Sequence, residues 1–183
     1  MRMTLPSLSP HLFLRPLDFI RSEHDRQLEI CDRIGSLIGA GRLPPLLAAS
    51  AMLLVYLTCE LPLHCRDEEE DLLPHLRRRG RLRDRIDGIL AELDRDHATE
   101  LFLGHSVATA LRAARAGGAD DPDSLFDDLG AFAAGQRRHI AWENRTVLPL
   151  ARERLHPEDL AEMGRNMMLR RGIALPPPLV HRA

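Results

Sequence analysis

Apolar residues recur at three- and four-residue steps in four long segments of the chain, the spacing that is typical of amphipathic α-helices. These segments cover residues 17–38, 44–79, 82–116 and 125–155. Glycines follow the first segment at Gly39 and Gly41, and prolines open the second at Pro44 and Pro45, as expected at helix ends and starts. Short loops between long helices predict an all-α fold, an antiparallel up-down four-helix bundle.

Proline-rich stretches flank the predicted bundle. Residues 1–16 contain three prolines and no helical period, which predicts an extended N-terminal arm. The bundle then covers residues 17–155, and residues 156–183 are expected to form a short additional helix followed by a Pro-rich tail. Within the second segment, Pro62 lacks a backbone donor, so we expect a kink there.

Composition narrows the class of protein. The 183 residues are enough for one domain with a single core, and aromatic residues at 4% are too few for most β-sandwiches and barrels. The net charge of -2 argues against nucleic acid as the main partner. All 25 basic residues are arginine, which excludes mechanisms that need a lysine.

Three further features predict a cytoplasmic protein without a membrane partner. No uninterrupted apolar run reaches the roughly 18 residues of a membrane span, since the longest stops at Glu60. The N-terminus lacks the pattern of a signal peptide. The cysteines, Cys31, Cys59 and Cys65, are too few and too irregularly spaced for a disulfide framework.

The chain contains nine histidines, and four of them belong to a repeated pattern. The second and fourth segments both contain H-x3-E-x4-L-P, and the first and third share a weaker pattern of an acidic residue, a histidine and a leucine four positions later. The repeat selects His24, His64, Glu68, His97, His139 and Glu143. The chain therefore looks like a doubled helical hairpin.

The spacing of these residues predicts a metal site. Residues i and i+4 share a helix face, so each His–Glu pair points the same way, toward the core. A buried polar group without a partner costs about 1–3 kcal/mol, so six unpaired groups in one core need compensation. A metal supplies it, because imidazoles and carboxylates suit iron, manganese or zinc, and two carboxylates can each bridge two ions.

The same six residues resemble the ligand set of the hemerythrin-like (HHE cation-binding) domains, over about residues 17–155. The stretch LPLHCRDEEEDLLPHLRRR is similar to bacterial members. The resemblance implies a four-helix bundle around two non-haem iron ions, bound by histidines and bridging carboxylates and sharing an oxo or hydroxo bridge. Zinc or manganese could replace the iron.

The chain departs from the oxygen-carrying members at Leu101, where those proteins have a second histidine on the third helix. It also has Glu143 four residues after His139, where the carriers have an aspartate at the fifth position. With two imidazoles, two carboxylate oxygens and the shared bridge, each iron has five ligands and one open octahedral position. We therefore expect a more reactive and less protected centre than that of a reversible carrier.

Members of this family include oxygen carriers, oxygen or iron sensors and proteins linked to nitric oxide and iron–sulfur damage. The resemblance thus favours binding of oxygen, nitric oxide or peroxide, in sensing or in the response to oxidative or nitrosative stress. Iron storage or delivery, a di-iron enzyme that degrades peroxide or nitric oxide, and a metal-free interaction bundle remain alternatives. The expected partners are metal ions and a small diatomic ligand or peroxide, and a homodimer is left open.

Residues next to the six have weaker predicted roles. Glu100 is three residues after His97 and is expected to support a ligand imidazole. Cys31 and Leu101 are candidates for the border of the centre, although a buried cysteine usually behaves as a small apolar residue. Glu23, Asp96 and most of the acidic run at 67–71 are expected to face solvent, with an entry path for iron cations as the alternative for the run.

Overall fold

The structure is a computed structural model that describes residues 10–118 and 122–174. In this part of the chain all regular structure is helical, which confirms the predicted all-α class. The α-helices are α1 (Pro16–Ala40), α2 (Leu43–Val55), α3 (Leu61–Asp67), α4 (Leu73–Arg79), α5 (Ile86–Arg115), α6 (Pro122–Arg145), α7 (Val147–Arg154) and α8 (Pro157–Arg170).

The ends of the first two helices follow the proline and glycine pattern. α1 has Pro16 in its first turn and ends at Gly41, whose φ of 58° is left-handed and whose N–H donates to the carbonyl of Ile38. α2 has prolines in its first turn, where a missing N–H leaves no hydrogen bond unmade. Local sequence is therefore enough to set these boundaries.

Helices α2, α3 and α4 form one continuous helical stretch with two wide turns. π-Helical segments at Tyr56–Glu60 and Glu68–Leu72 separate the three helices. Each segment ends two residues before a proline, and the residue between them, Leu61 or Leu73, donates to a carbonyl five residues back. Because proline cannot supply the usual hydrogen bond, the helix widens before it. The sequence predicts a distortion at the first proline only.

The long helices pack around two apolar clusters. α6 contacts both α1 and α5, α5 contacts α2, α3 and α4, and α8 lies against α1 and α3. The first cluster includes Ile30, Ile34 and Leu111, and the second includes Phe19 and Ile20. Along α1, the buried residues between Ile20 and Ile30 are polar. A polar layer thus interrupts the apolar core.

Parts of the predicted flanking regions lie outside the described residues. These are residues 1–9 of the predicted arm and residues 175–183 of the predicted tail. Where the sequence predicts extended chain, Pro10–Leu14 form a short 3-10 helix. The side chain of Phe13 is buried in the second apolar cluster, which gives this segment a packing role.

The stretch Leu43–Arg79 is long and apolar enough, by length and composition, to cross a membrane. Its most apolar 18-residue window has a mean hydropathy of 1.8 and is 44% buried inside the structure. The longest uninterrupted apolar run stops at Glu60, whereas an average over a window tolerates single charges. A core helix of a soluble protein passes the same test, so this finding is weak evidence for a membrane span.

Helix α8 docks closely on the segment around Phe13, and a glycine permits the approach. A Cβ atom at Gly164 would lie 2.0 Å from the carbonyl oxygen of Phe13. We expect Gly164→Ala to destabilise the protein by about 1–3 kcal/mol through overpacking, measured by urea unfolding. The matched control is Gly35→Ala on α1, where a Cβ meets no atom within 4 Å. This control should stabilise by about 0.5–1 kcal/mol. Equal stability of Gly164→Ala and the wild type would contradict the docking.

Candidate metal centre

The structure brings the six residues of the repeated pattern together in the polar layer. All six side chains are almost fully buried. They come from four directions in the core: His24 from α1, His64 and Glu68 from the stretch around α3, His97 from α5, and His139 and Glu143 from α6. Their role as ligands is a prediction, which the following geometry supports.

One group of potential ligand atoms combines the α1 and α3 histidines with both glutamates. His24 Nε2 lies 3.0 Å from Glu143 Oε2 and 3.6 Å from Glu68 Oε1. His64 Nε2 lies 3.6 Å from Glu68 Oε2. One ligand atom from each of these four residues lies within 4.8 Å of the others, a compact set that could bind a cation.

A second group combines the histidines of α5 and α6 with the same two glutamates. His97 Nε2 lies 3.2 Å from Glu68 Oε2, and His139 Nε2 lies 3.3 Å from Glu143 Oε2. These four residues also offer ligand atoms within 4.8 Å of one another. Both carboxylates therefore belong to two adjacent groups, which is the arrangement that bridging ligands require.

The two histidine pairs have nearly the same geometry. The ring centroids of His24 and His64 are 5.1 Å apart with an interplanar angle of 76°. The rings of His97 and His139 are also 5.1 Å apart, at 73°. The internal repeat of the sequence thus reappears as two similar halves of one site.

The inward atoms of these side chains lack hydrogen-bond partners among the described residues. They are the Nε2 atoms of His24, His64, His97 and His139 and both carboxylate oxygens of Glu68 and Glu143. Close contacts such as the 3.0 Å between His24 and Glu143 do not have hydrogen-bond angles. Eight orphaned atoms of this chemistry in one buried layer fit bound cations, because one cation in each group would satisfy them together.

The outward nitrogen of each imidazole has an acceptor, which fixes the ring. The pairs are His24 Nδ1 with Asn144 Oδ1 (2.9 Å), His64 Nδ1 with Glu23 Oε2 (3.1 Å), His97 Nδ1 with Glu69 Oε1 (2.9 Å) and His139 Nδ1 with Asp96 Oδ2 (3.4 Å). Carboxylate and amide oxygens only accept, so Nδ1 carries the proton in each pair. Nε2 is then the atom that can bind a cation once it is deprotonated, as is common in metal sites.

These four acceptors form a closed circuit around the helices. Each one is the sequence neighbour of a predicted ligand, yet it supports the histidine of the following helix. Glu23 precedes His24, Glu69 follows Glu68, Asp96 precedes His97 and Asn144 follows Glu143. A position next to a ligand lies about 100° round the helix and so faces the adjacent helix. This adjacency is the signal by which Glu69 and Asn144, which the sequence analysis missed, could have been found.

The structure corrects the prediction that Glu23 and Asp96 face solvent. Glu23 is buried, with 8% of its surface exposed, and does not face solvent as predicted. Asp96 is partly exposed, but its carboxylate still contacts His139. A polar residue off the inward face need not meet water, because it can contact the next helix instead.

Helix α8 connects to the site through a partly buried arginine. Arg171, just after α8, contacts Glu23 Oε1 at 3.1 Å and Asp67 Oδ2 at 2.6 Å. Its guanidinium also lies 4.7 Å from the centroid of the Phe19 ring, a cation–π distance. Arg171, Glu23 and His64 therefore form one continuous line of contacts from α8 to the centre.

The acidic run at 67–71 is only partly solvated. Asp67 and Asp71 are buried and contact Arg170 at the end of α8, so the prediction of a solvated face is wrong for these two residues. Glu70 is exposed and pairs with Arg66, as a solvated position would. The buried carboxylates face α8, a contact that local periodicity could not reveal.

The three residues assigned weaker roles lie in different surroundings. Glu100 is buried, and its Oε2 is 4.0 Å from His139 Nε2, too far for a hydrogen bond. Burial raises the pKa of the Glu100 carboxyl to about 7. Cys31 lies in the first apolar cluster, where burial raises the pKa of its thiol to about 11. Leu101 is partly buried against the same cluster.

The carboxylates hold protons on the inward imidazoles. Burial by itself lowers the pKa of His24, but the adjacent Glu143 and Glu68 outweigh it and raise this pKa well above its usual value. For His97 the same balance, with Glu68 and Glu69, gives a pKa of about 11. Burial disfavours the charged form of Glu68, yet the surrounding histidines keep its pKa well below the usual value. A binding cation must therefore displace protons.

Comparison with known proteins identifies the family. The model of the hemerythrin HHE cation-binding domain matches residues 15–151. The chain therefore belongs to this family of cation-binding domains, and all six residues of the centre lie inside the matched region. The search of curated proteins and the search of solved structures each found no match. Helix α8 lies beyond the matched region.

Cation binding should release protons, because the pKa values of His24 and His97 lie above neutral pH. We expect Zn²⁺ binding at pH 7 to release about one proton or more per ion, and apparent affinity to increase with pH as fewer protons compete. Calorimetric titration in two buffers of different ionisation enthalpy measures this release. A heat that is independent of the buffer would contradict the protonation of the imidazoles.

Removal of the Arg171 side chain should loosen the support of His64. We expect Arg171→Gln to weaken metal binding about tenfold, since Glu23 loses the contact that orients it. Competition with a chelator measures the affinity. Arg165→Gln is the matched control, because Arg165 lies on α8 and is exposed. If the two variants bind metal equally, α8 does not support the centre.

Proposed function

We propose that the chain forms an antiparallel four-helix bundle that binds two non-haem iron ions. One ion would be bound by His24 and His64 and the other by His97 and His139, with Glu68 and Glu143 bridging both. The observation that carries the proposal is that the two overlapping ligand groups share both carboxylates. The mixed imidazole and carboxylate donors fit iron, and also zinc or manganese.

The chain would orient the ligand side chains, exclude water from them and leave a cavity beside the centre. The four outward hydrogen bonds orient the imidazoles, and apolar clusters on either side of the polar layer exclude water. Bound iron in such a centre supplies coordination of small ligands and one-electron chemistry. A cavity of about 350 Å³ between α5 and α6 is lined by Glu100 and His139, among others, and borders the centre.

We propose that this centre binds oxygen, nitric oxide or peroxide for sensing or for the response to oxidative or nitrosative stress. Two imidazoles and two carboxylate oxygens leave each iron with coordination positions that the six residues do not fill. The cavity beside His139 is large enough for a diatomic molecule or peroxide to approach. The six-residue set and the adjacent cavity support small-ligand binding, whereas no specific observation supports iron storage.

Metal analysis tests the proposal directly. Protein produced with iron supplied should contain two irons per chain and show charge-transfer absorption in the near ultraviolet. Substitution of a shared ligand, Glu68→Ala, should reduce the content of both ions, because it removes a donor from each group. His105→Ala is the control, since His105 is exposed on α5 and outside the centre.

Less than one metal ion per wild-type chain would overturn the di-iron proposal and favour the metal-free interaction bundle. If two irons are present, stepwise exposure to oxygen, nitric oxide and peroxide ranks the small ligands by the spectral change each produces. Spectra that stay unchanged with all three would overturn the assignment of small-ligand binding while leaving the metal centre intact.

A further inference from the structure

Glu100 is the one buried carboxyl group of the described residues that has neither an arginine partner nor a place among the six. Its side chain is almost fully buried, and both of its oxygens lack a hydrogen-bond partner in this part of the chain. The other buried carboxyl groups outside the six pair with arginines. These pairs are Glu23 and Asp67 with Arg171, Asp71 with Arg170, and Asp159 with Arg79.

The position of Glu100 on α5 directs it to the centre. Glu100 follows His97 by three residues, so both lie on the same face of the helix. The residue at the four-residue step, Leu101, is only partly buried and packs with the first apolar cluster. The position where the carriers have a histidine thus faces apolar side chains, and its neighbour Glu100 faces the metal ligands.

The distance between Glu100 and His139 fits two ligands of one ion. Two atoms that coordinate the same octahedral ion at about 2.1 Å are separated by about 3.0 Å when adjacent and about 4.2 Å when opposite. Glu100 Oε2 and His139 Nε2 are 4.0 Å apart, inside this interval and beyond hydrogen-bond range. Glu100 is outside the two compact groups of ligand atoms, so ligation requires its carboxylate to move a short distance toward the ion.

The internal repeat gives the two halves of the site different residues at this position. His24 in α1 corresponds to His97 in α5, and three residues later the chain has Gln27 in α1 and Glu100 in α5. Gln27 is also buried, but its Oε1 accepts a hydrogen bond of 2.6 Å from Gln136 Nε2. The α1 half therefore has a neutral amide that is already bonded, and the α5 half has an unbonded carboxylate.

We propose that Glu100 is a seventh protein ligand, which coordinates the ion bound by His97 and His139. The inference rests on the proposed function. It makes the two metal positions unequal: the ion at His97 and His139 has a complete set of ligands, and the ion at His24 and His64 keeps the open position for an exogenous ligand. Access through the cavity beside Glu100 then depends on this carboxylate.

Cobalt(II) titration of the full chain tests this assignment, because the intensity of its visible absorption reports the coordination number. The wild type should bind two Co²⁺ ions. In Glu100→Gln we expect one of the two to bind at least about tenfold more weakly, with a more intense visible spectrum as its coordination number falls. Glu92→Gln is the matched control, since Glu92 lines the same cavity from α5 but is exposed.

Chemical rescue separates ligation from a structural effect. In Glu100→Ala, added acetate should reach the centre through the cavity and restore the spectrum and affinity of the wild type. A variant that had lost only packing would not respond to acetate. Azide provides a test that needs no variant: the wild type loaded with Co²⁺ should bind one azide per chain, and Glu100→Gln should bind two.

The outcomes distinguish this proposal from the one on which it rests. A wild type that does not bind two ions overturns the metal centre itself. A wild type with two ions, and a Glu100→Gln variant with the affinity and spectrum of Glu92→Gln, overturns only the role of Glu100. Two azides bound per wild-type chain would also overturn it, even if the variants failed to fold.

Discussion

The structure depends on the burial of four imidazoles and two carboxylates in a single layer of an otherwise apolar core. Each of these groups is costly to remove from water, and their inward atoms have no hydrogen-bond partners among the described residues. The apolar clusters on both sides stabilise the helices that carry these groups and keep water from the layer. The apolar clusters on either side of the polar layer thus stabilise the fold, whereas the polar layer itself destabilises the fold until a cation binds.

The closed circuit of outward hydrogen bonds explains how the layer stays ordered. Each imidazole is oriented by a residue of the neighbouring helix, so a shift of one helix disturbs the next ligand in the circuit. The circuit is not uniform. The support of His64 is buried and contacts Arg171, whereas the supports of His97 and His139 are partly exposed. The half of the site near α8 is therefore the more enclosed.

Backbone irregularity contributes to the same geometry. The wide turn begins at Glu68, which faces the centre, whereas Asp67 before it and Asp71 within it face α8. A regular helix repeats every 3.6 residues, and the wider turn changes which side chains share a face. Pro74, six residues after Glu68, removes the hydrogen bond that would close a normal turn. Glu143 has a proline at the same spacing, and there the helix is interrupted at Thr146 between α6 and α7.

Much of the fold and of the candidate site could be predicted from the order of residues. Helix periodicity and helix-end residues predicted the all-α class, because these signals are local. The duplicated pattern selected the six central residues, since i and i+4 necessarily share a helix face. The burial of Glu23 and the contacts of Asp67 with Arg171 were missed, because they depend on which helix lies beside each face.

The sequence by itself therefore determined the elements and the residues that point inward. Tertiary structure decided how the outward residues are used: which acceptor orients each imidazole, that α8 contacts the site, and that Glu100 and not Leu101 faces the ligands. The physical reason is that periodicity specifies a direction around one helix axis, whereas a contact needs the position and rotation of a second helix. Those depend on packing over the whole core.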